Sequence, residues 1–489
     1  MKFIYTFALV VAAQLCFSQQ LPEELKGIDD DINHLIEQYN AVGLSVSIVK
    51  DNKIIYSQGF GYRDLENKLP VTANTVFPIA SITKSFTGSL LGILESQNQV
   101  SLKEKPAFYI PEFKFFNEKM DNLITIEDLL SHKSGIGSQG TTLEFFPDND
   151  KLKTVQRLKY LKPEGEIKNS FQYSNMGYIL AGTIVEQITN KSWEKNIEEK
   201  IFKPLDMNNS YTTRSEMKKS NNYSFGYGLY KGNIEKVEFQ KPYSLSPAGA
   251  INSTVNDMSK WIITWLNKGD FNKTQVIPKE YIHKATILQN SNGGNYEKEA
   301  FLLGDGFGWR LRSSYGHYRV EHGGNTFGFS TDLMMFPFEN IGIVILTNQD
   351  NSLLPYIVGD NIVRRLFNLK SKPEYPVNVT EIFKPIPYKP LNKDKMPTHT
   401  LNSFCGTYEA KGFGKVEIVK EGDKLYAVLP TFKFQLEHLN YDSFFFKATK
   451  EFKYSFNPQF DIQFFSNTKG NITSLKLYSQ KEPIEFNKE

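Results

Sequence analysis

A serine and a lysine stand three residues apart at Ser81 and Lys84, just ahead of an apolar stretch with helical spacing. On a helix, positions i and i+3 share a face, so the Lys84 amine could serve as a base for the Ser81 hydroxyl. The first turn of a helix also presents unpaired backbone N–H groups, which favour negative charge on a reacting oxygen. The pair therefore predicts nucleophilic chemistry at the start of a buried helix.

The Ser-x-x-Lys spacing is weak evidence when taken alone. The chain contains it five times, beginning at Ser47, Ser81, Ser192, Ser215 and Ser466. Only the copy at Ser81 opens a long helical pattern of core character, whereas Ser47 lies in an alternating strand pattern. A structural alternative stays open for Ser81, because serine is a common N-cap before an apolar helix.

Two further short patterns each occur once in the chain. They are Tyr173-x-Asn175, just before a helical pattern, and His322-x-Gly324, between two strand patterns. Each has an ordinary structural explanation: a packed tyrosine with Asn175 as a helix cap, and a Gly-Gly hairpin turn. Paired glycines also let a ligand or another backbone approach a strand closely.

Together and in this order, the three patterns closely resemble those of the serine β-lactamase and penicillin-binding-protein superfamily, in its class C branch. That branch includes esterases, D-amino-acid peptidases and CubicO-type peptidases. Residues 129–135 (Leu-Leu-Ser-His-Lys-Ser-Gly) and 248–254 carry the resemblance further, which covers about residues 22–368. The segment from about residue 400 is similar to the lipocalin-like barrel appended to many CubicO-type proteins.

The resemblance implies a role for each matching residue. Ser81 would attack a carbonyl and form an acyl-enzyme, while Lys84 and Tyr173 move its proton. Asn175 would orient Lys84 and the substrate. The backbone N–H groups of Ser81 and Asn325 would hold the oxyanion.

The same resemblance places His322 and Gly324 in the substrate-binding wall. β-Lactamases have a permanently charged lysine at the first of these positions, whereas a histidine with an ordinary pKa of about 6.5 is largely neutral at pH 7. A strong anchor for a substrate carboxylate is therefore missing. We expect weak β-lactamase activity and favour peptidase or esterase chemistry on a small peptide or ester.

Several other functions are alternatives to this one. A class C β-lactamase or DD-carboxypeptidase uses the same residues, and a non-catalytic binder of peptidoglycan fragments would keep the same fold. A Ser-His-Asp triad that includes His322 and Asp332 is a further alternative. Residues 135–140 match G-x-G-x-x-G but follow a helix rather than a strand, which argues against a dinucleotide site.

Composition excludes several classes of partner. The formal net charge is +3 over 489 residues, and lysine and arginine are scattered, so nucleic acid gains no support. The seven histidines show no metal-ligand spacing. We therefore predict no metal and no other cofactor.

The N-terminus predicts a signal peptide over residues 1–18, with Lys2, an apolar run and small residues before a cleavage point after Ser18. We therefore expect export to the periplasm or beyond. Lipid attachment at Cys16 is the rival interpretation, although bulky Leu15 fits it poorly. Cleavage would leave Cys405 as the only cysteine, and no later stretch reaches the roughly 18 apolar residues of a membrane helix.

The predicted fold class is α+β, because the closely spaced strand patterns leave no room for crossover helices and a long helical stretch separates the two groups of strands. Since 489 residues exceed the roughly 250–300 that one core supports, two domains are expected. We expect a hydrolase domain over residues 19–370, with an antiparallel sheet built from both ends and a long helical insertion, and with Ser81 at their boundary. The patterns predict helices over residues 24–39, 175–188, 256–266 and 353–367. They predict strands over residues 44–50, 53–60, 308–312, 317–321, 328–336 and 341–347.

The rest of the chain predicts a second domain. Residues 371–399 are rich in proline and form a linker, and residues 400–489 alternate aromatic and polar residues as in a small all-β barrel or sandwich. This domain is expected to be either a stabilising addition or a lid or homo-oligomer contact that restricts substrates. Loops around residues 137–150 and 213–247 are expected to form the pocket walls.

Overall fold

The computed structural model describes residues 21–230, 233–237, 245–291, 299–370, 375, 395–430, 432–447, 460–479 and 483–489. The predicted signal peptide, with Cys16 and the cleavage point after Ser18, lies outside these residues, as does most of the predicted linker. Within them, no helix is both long enough and apolar enough to span a bilayer.

The helices and strands are numbered in chain order. The α-helices are α1 Ile28–Gln38, α2 Thr83–Ser96, α3 Pro106–Tyr109, α4 Glu118–Leu123, α5 Ile126–Leu130, α6 Ser138–Leu143, α7 Lys151–Gln156, α8 Asn175–Thr189, α9 Trp193–Ile197, α10 Arg214–Met217, α11 Ser246–Gly249, α12 Val255–Leu266, α13 Lys279–Ala285, α14 Leu354–Leu366 and α15 Leu401–Phe404. The first strands are β1 Gly43–Lys50, β2 Lys53–Asp64, β3 Leu69–Pro70, β4 Phe77–Pro78, β5 Gly226–Tyr230, β6 Asn233–Val237, β7 Asn252–Ser253, β8 Asp270–Phe271, β9 Thr274–Gln275, β10 Ala300–Asp305, β11 Arg310–Ser314, β12 His317–Thr326, β13 Phe329–Phe336 and β14 Ile341–Thr347. The last are β15 Gly406–Ala410, β16 Gly414–Glu421, β17 Lys424–Val428, β18 Lys433–Asn440, β19 Ser443–Lys447, β20 Asp461–Ser466, β21 Ile472–Tyr478 and β22 Ile484–Lys488.

One antiparallel sheet of eight strands lies at the centre of the N-terminal part, in the order β10-β11-β12-β13-β14-β1-β2-β3. Strands from the two ends of this part pair in the middle, where Leu44 lies opposite Thr347 and Lys50 opposite Ile341. The chain between β3 and β10 is mainly helical. The predicted α+β class, with an antiparallel sheet and a helical insertion, is confirmed.

Along each sheet strand, successive side chains point to opposite faces of the sheet, and both faces are buried. One face, with Leu44, Val46 and Ile345 among its residues, packs with apolar residues of α1 and α14. The other face carries Leu333 and Val344 and joins the core of the helical insertion. Because both faces are buried, the central strands contain long apolar runs rather than a polar alternation.

The first hairpin has the turn that its sequence predicts. Asp51 and Asn52 have φ of 50° and 61°, the two positive values of a type I′ turn between β1 and β2. The predicted helix over residues 24–39 is shorter, because Gly27 adopts a φ of 78° and α1 begins only at Ile28. Strand β2 runs four residues past its predicted end, to Asp64.

Strands β15 to β22 form a closed barrel in which β15 also pairs with β22. Its inward side chains include Phe434, Phe444, Phe446 and Phe464, all nearly inaccessible to solvent. Of the predicted alternatives, barrel or sandwich, the barrel is the one observed. The limits given above for the domains, residues 19–370 and 400–489, stay predictions.

Candidate active site

Ser81 lies in a short 3₁₀ turn, Ala80–Ile82, that leads directly into α2. The preceding residue, Ala80, is buried and has a φ of 47°, a left-handed conformation that costs an L-residue about 1–2 kcal/mol. The N-cap of α2 is Ile82, so the alternative in which Ser81 caps the helix is wrong. Backbone strain next to a hydroxyl-bearing residue is a feature of functional sites, which marks this turn as a candidate.

Lys84 occupies the first turn of α2 and is fully buried. Its Nζ donates to Ser81 Oγ at 3.1 Å and to the carbonyl oxygen of Ala248 at 2.9 Å. The same nitrogen lies over the rings of Tyr173 and Tyr178, 4.9 and 5.6 Å from their centroids. The predicted hydroxyl and amine are therefore in direct contact, with the amine held on its other side by backbone and aromatic rings.

Tyr173 and Asn175 flank the start of α8. Ser174, between them, is the N-cap, and its Oγ accepts from the backbone N–H of Gly177 at 3.3 Å. The alternative in which Asn175 caps the helix is therefore wrong, and its side chain is available to the pocket. The Tyr173 ring lies against the ring of His132, with centroids 4.5 Å apart.

His132, which belongs to the motif at residues 129–135, contacts both Tyr173 and the backbone of Ser174. Its Nδ1 accepts from the backbone N–H of Ser174 at 3.1 Å, so a neutral ring carries its proton on Nε2. Burial, with the positive charge of Lys84 next in size, lowers its pKa well below the ordinary value. The resemblance singled out the motif, but nothing local in the sequence indicated that its histidine would brace Tyr173.

His322 lies inside β12, which runs to Thr326 rather than ending at 321 as predicted. Gly323 and Gly324 pair in register with Asp332 and Thr331 of β13, so the Gly-Gly hairpin turn is wrong. A side chain on Gly324 would place its Cβ 2.5 Å from the carbonyl oxygen of residue 79. Glycine is needed there because β12 passes close to the backbone that leads into Ser81.

The pairing also bears on the Ser-His-Asp alternative. Asp332 pairs with Gly323, the neighbour of His322, and successive residues of a strand face opposite sides of the sheet. His322 and Asp332 therefore lie on opposite faces. The His322 Nδ1 instead donates to the carbonyl oxygen of Gly323 at 2.6 Å, which argues against such a triad.

The charge state of His322 agrees with the expectation from sequence. Burial, together with the positive charges of Arg310 and Lys84, lowers the pKa of His322 to about 3. The ring is consequently neutral at pH 7. It offers no permanent positive charge to a substrate carboxylate.

Three of the predicted site residues line one pocket at the surface. Ser81, Asn175 and Asn325 all line it, while Lys84 is buried behind Ser81. Further walls come partly from the loops expected to supply them, residues 137–150 and 213–247, with Glu144, Thr213, Arg214, Leu245 and Ser246. Thr212, Thr326 and Phe327 also line the pocket but lie outside those loops. Within the described part of the chain, no cluster of three or more potential ligands is arranged to hold a metal ion.

Two charged residues of this pocket had no signal in the sequence. Glu144 Oε1 accepts from Asn175 Nδ2 at 2.7 Å, whereas Asn175 was expected to orient Lys84. Burial raises the pKa of Glu144 to about 7, and the hydrogen bond from Asn175 and the charge of Lys84 oppose that rise. Arg214 donates from Nη2 to Thr326 Oγ1 at 3.2 Å. Both contacts join residues far apart in sequence, which local patterns cannot reveal.

Comparison with known families settles where the chain belongs. The sequence profile of the Beta-lactamase family matches residues 28–361, a stretch that contains every candidate residue named above. The chain is a member of this family. Its members are typically serine hydrolases with the mixed fold described here. Residues 391–488, which include the barrel, match a second profile, described as a domain of unknown function (DUF3471).

Individual relatives extend this result. Protein flp of Staphylococcus aureus (strain N315) is 29% identical over 343 residues, covering 68% of this chain and 64% of that protein. Unguisins hydrolase ungD' of Aspergillus campestris (strain IBT 28561) is 27% identical over 363 residues, covering 70% and 65%. These matches thus span less than two thirds of either relative.

A solved structure shares the fold of this beta-lactamase-family chain. The octameric penicillin-binding protein homologue from Pyrococcus abyssi superposes with a TM-score of 0.63 at 23% identity. The match covers 94% of this chain and 99% of that one. At this level of identity the likeness establishes the architecture, including both the sheet and the C-terminal part.

Proposed function

We propose that this chain is an exported serine hydrolase that forms an acyl-enzyme at Ser81 on peptide amides or esters. The observation that carries the proposal is the 3.1 Å contact between Lys84 Nζ and Ser81 Oγ at the wall of a pocket. An apolar side chain would stabilise this buried position better than an amine does, because burying a polar or charged group costs free energy. A role as base for the Ser81 hydroxyl explains why an amine is present.

The reaction would proceed in two acyl transfers. Ser81 Oγ attacks the substrate carbonyl carbon, and the pair of Lys84 and Tyr173 takes up its proton. The resulting oxyanion is held by the backbone N–H groups of Ser81 and Asn325, where one donor is typically worth about 3–4 kcal/mol. The amine or alcohol leaves with a proton from the same pair, and water then hydrolyses the ester at Ser81.

The neutral His322 supports peptidase or esterase work over β-lactamase work, because position 322 carries a neutral ring at pH 7 in place of a permanently charged lysine. A DD-carboxypeptidase, which also needs to bind a substrate carboxylate, is disfavoured for the same reason, although Arg214 lines the pocket. The name of the relative unguisins hydrolase supports hydrolysis as the reaction class. We further assign the chain to the class C branch, as a CubicO-type member, from the motifs at Ser81, Tyr173 and His322.

Location and assembly belong to the proposal as well. The charged and apolar pattern of residues 1–18 supports export to the periplasm or beyond. The C-terminal barrel is proposed to be lipocalin-like, and a homo-oligomer contact is one of its proposed roles. No nucleic acid partner is proposed.

A substrate panel tests the proposal. The purified full-length chain is assayed on D- and L-amino-acid amides, dipeptides, short-chain esters and nitrocefin. We expect turnover of at least one amide or ester, abolished in Ser81→Ala and kept in Ser192→Ala, whose serine only caps α9. Efficient nitrocefin turnover would instead make it a β-lactamase, and binding of peptidoglycan fragments without turnover would make it a non-catalytic binder.

A further inference from the structure

Three consecutive residues, Glu144, Phe145 and Phe146, connect the active-site pocket to the barrel. Glu144 lines the pocket and accepts the 2.7 Å hydrogen bond from Asn175. The two phenylalanines that follow are almost fully buried against barrel residues. The segment that supplies a wall of the pocket is therefore anchored in a different part of the fold.

Phe146 is inserted into the barrel itself. Its ring lies 6.1 Å from that of Phe413 and 5.6 Å from that of Phe486, both barrel residues. It lines the small internal cavity of the barrel together with apolar residues of the barrel strands, among them Val416, Phe446 and Phe486. A small eight-stranded barrel has room for side chains or for one small ligand, and here a side chain of the hydrolase part takes some of that room.

Phe145 also packs against the barrel, and its barrel partner Phe432 contacts a second lining residue of the pocket. Its ring lies 5.8 Å from Phe432 and 5.2 Å from Phe460 of the barrel. Phe432 in turn lies 5.6 Å from Phe327, which lines the active-site pocket beyond Asn325. Phe432 therefore contacts both the residue that follows Glu144 and a residue that lines the pocket.

Hydrogen bonds hold the segment in this position. Arg157 Nη1 donates to the carbonyl oxygen of Phe146 at 2.5 Å, and the hydroxyls of Thr142 and Ser479 lie 3.0 Å apart across the boundary with the barrel. Only Phe145 separates Phe146 from Glu144, and consecutive Cα atoms are about 3.8 Å apart, so the buried anchor lies close to the pocket wall. Glu144 contributes one oxygen to Asn175, whose own Oδ1 is buried with no hydrogen-bond partner among the described residues.

We propose that the barrel holds Glu144 against Asn175 through Phe145 and Phe146, which makes Glu144 a positioning residue for the Asn175 side of the active site. The inference rests on the proposed acyl-enzyme function. It assigns the barrel a part in the reaction, beyond the stability that it adds. Because a misplacement of about 1 Å in a reacting geometry can cost about 100-fold in rate, loosening this anchor should be visible in kcat.

The test compares variants of the full-length chain by their rate of labelling with a fluorophosphonate, whose phosphorus bonds to the serine oxygen as fluoride leaves, and by kcat and KM on the best ester of the panel. Phe146→Ala and Glu144→Ala should lower kcat about 10- to 100-fold. Glu144→Gln should stay within about threefold of the wild type, because the amide oxygen can still accept from Asn175. The double variant Phe146→Ala/Glu144→Ala should lose no more than Glu144→Ala alone, since both remove one interaction.

Phe404→Ala is the matched control. Phe404 is equally buried in the barrel but packs against Phe444 and Phe464, so its loss weakens the barrel without removing the anchor. Circular dichroism verifies folding, and Phe146→Leu, which keeps most of the apolar volume, serves if the alanine variant is unfolded.

Three results would overturn the inference: a wild-type rate in folded Phe146→Ala, an equal loss in Phe404→Ala, or losses that multiply in the double variant. Each of these presupposes a wild-type chain that is acylated. Absence of acylation in the wild type would contradict the proposed function itself, and the inference with it.

Discussion

The amine nitrogen of Lys84 lies 3.1 Å from the hydroxyl oxygen of Ser81, and the lysine side chain is fully buried. Lys84→Met keeps the length of the side chain but removes the base, so acylation should slow about 10²- to 10⁴-fold. Pre-steady-state labelling measures this rate. Lys195→Met is the control, because Lys195 has the same spacing from Ser192 but is exposed. An unchanged rate in Lys84→Met would remove the lysine from the mechanism.

The two glycines that follow His322 should differ sharply in their tolerance of a side chain. At Gly324 a Cβ would lie 2.5 Å from the carbonyl oxygen of Ile79, whereas at Gly323 the nearest atom is 3.5 Å away. Gly324→Ala should therefore push β12 away from the Ser81 turn, lowering kcat/KM at least about 10-fold and stability by about 1–3 kcal/mol. Gly323→Ala should be nearly neutral. Urea unfolding and ester kinetics measure both, and equal effects would contradict the proposed close approach.

Acid should destabilise the chain partly through His322. Its pKa is about 3 in the folded chain, against an ordinary value near 6.5, so below pH 6.5 the unfolded chain binds a proton that the folded chain does not. Above pH 6.5 this group does not lower the free energy of unfolding. Between pH 6.5 and pH 3 it lowers that free energy by up to about 1.4 kcal/mol per pH unit. His322→Gln should lose less stability than the wild type between pH 7.5 and 4.5 in urea titrations. Parallel losses would show that His322 does not titrate in this way.

Local patterns predicted the parts of the fold that depend on neighbouring residues. The Asp51-Asn52 turn follows from the tolerance of both residues for positive φ. Residues 125–128 (Thr-Ile-Glu-Asp) have the spacing of a capping box, and α5 has one, with Asp128 accepting from the backbone of Thr125. The Ser81 helix could be found because its apolar spacing is sustained over four turns, from Thr83 to Ser96.

Features set by distant contacts could not be predicted. β12 continues through Gly323 and Gly324 because it approaches the backbone at Ile79, more than two hundred residues earlier, and the local sequence indicated a turn. Glu144 matters because α8 and the barrel meet at its position. Strand β10 was missed since residues 300–305 show little alternation. Pairing and packing across the fold decide all three.

Intact mass spectrometry after fluorophosphonate treatment shows whether Ser81 is the nucleophile. We expect one adduct per chain, mapped to Ser81 by peptide analysis, absent in Ser81→Ala and present in Ser192→Ala. A folded wild-type chain that gains no adduct, or a Ser81→Ala variant that still gains one, would contradict this role of Ser81.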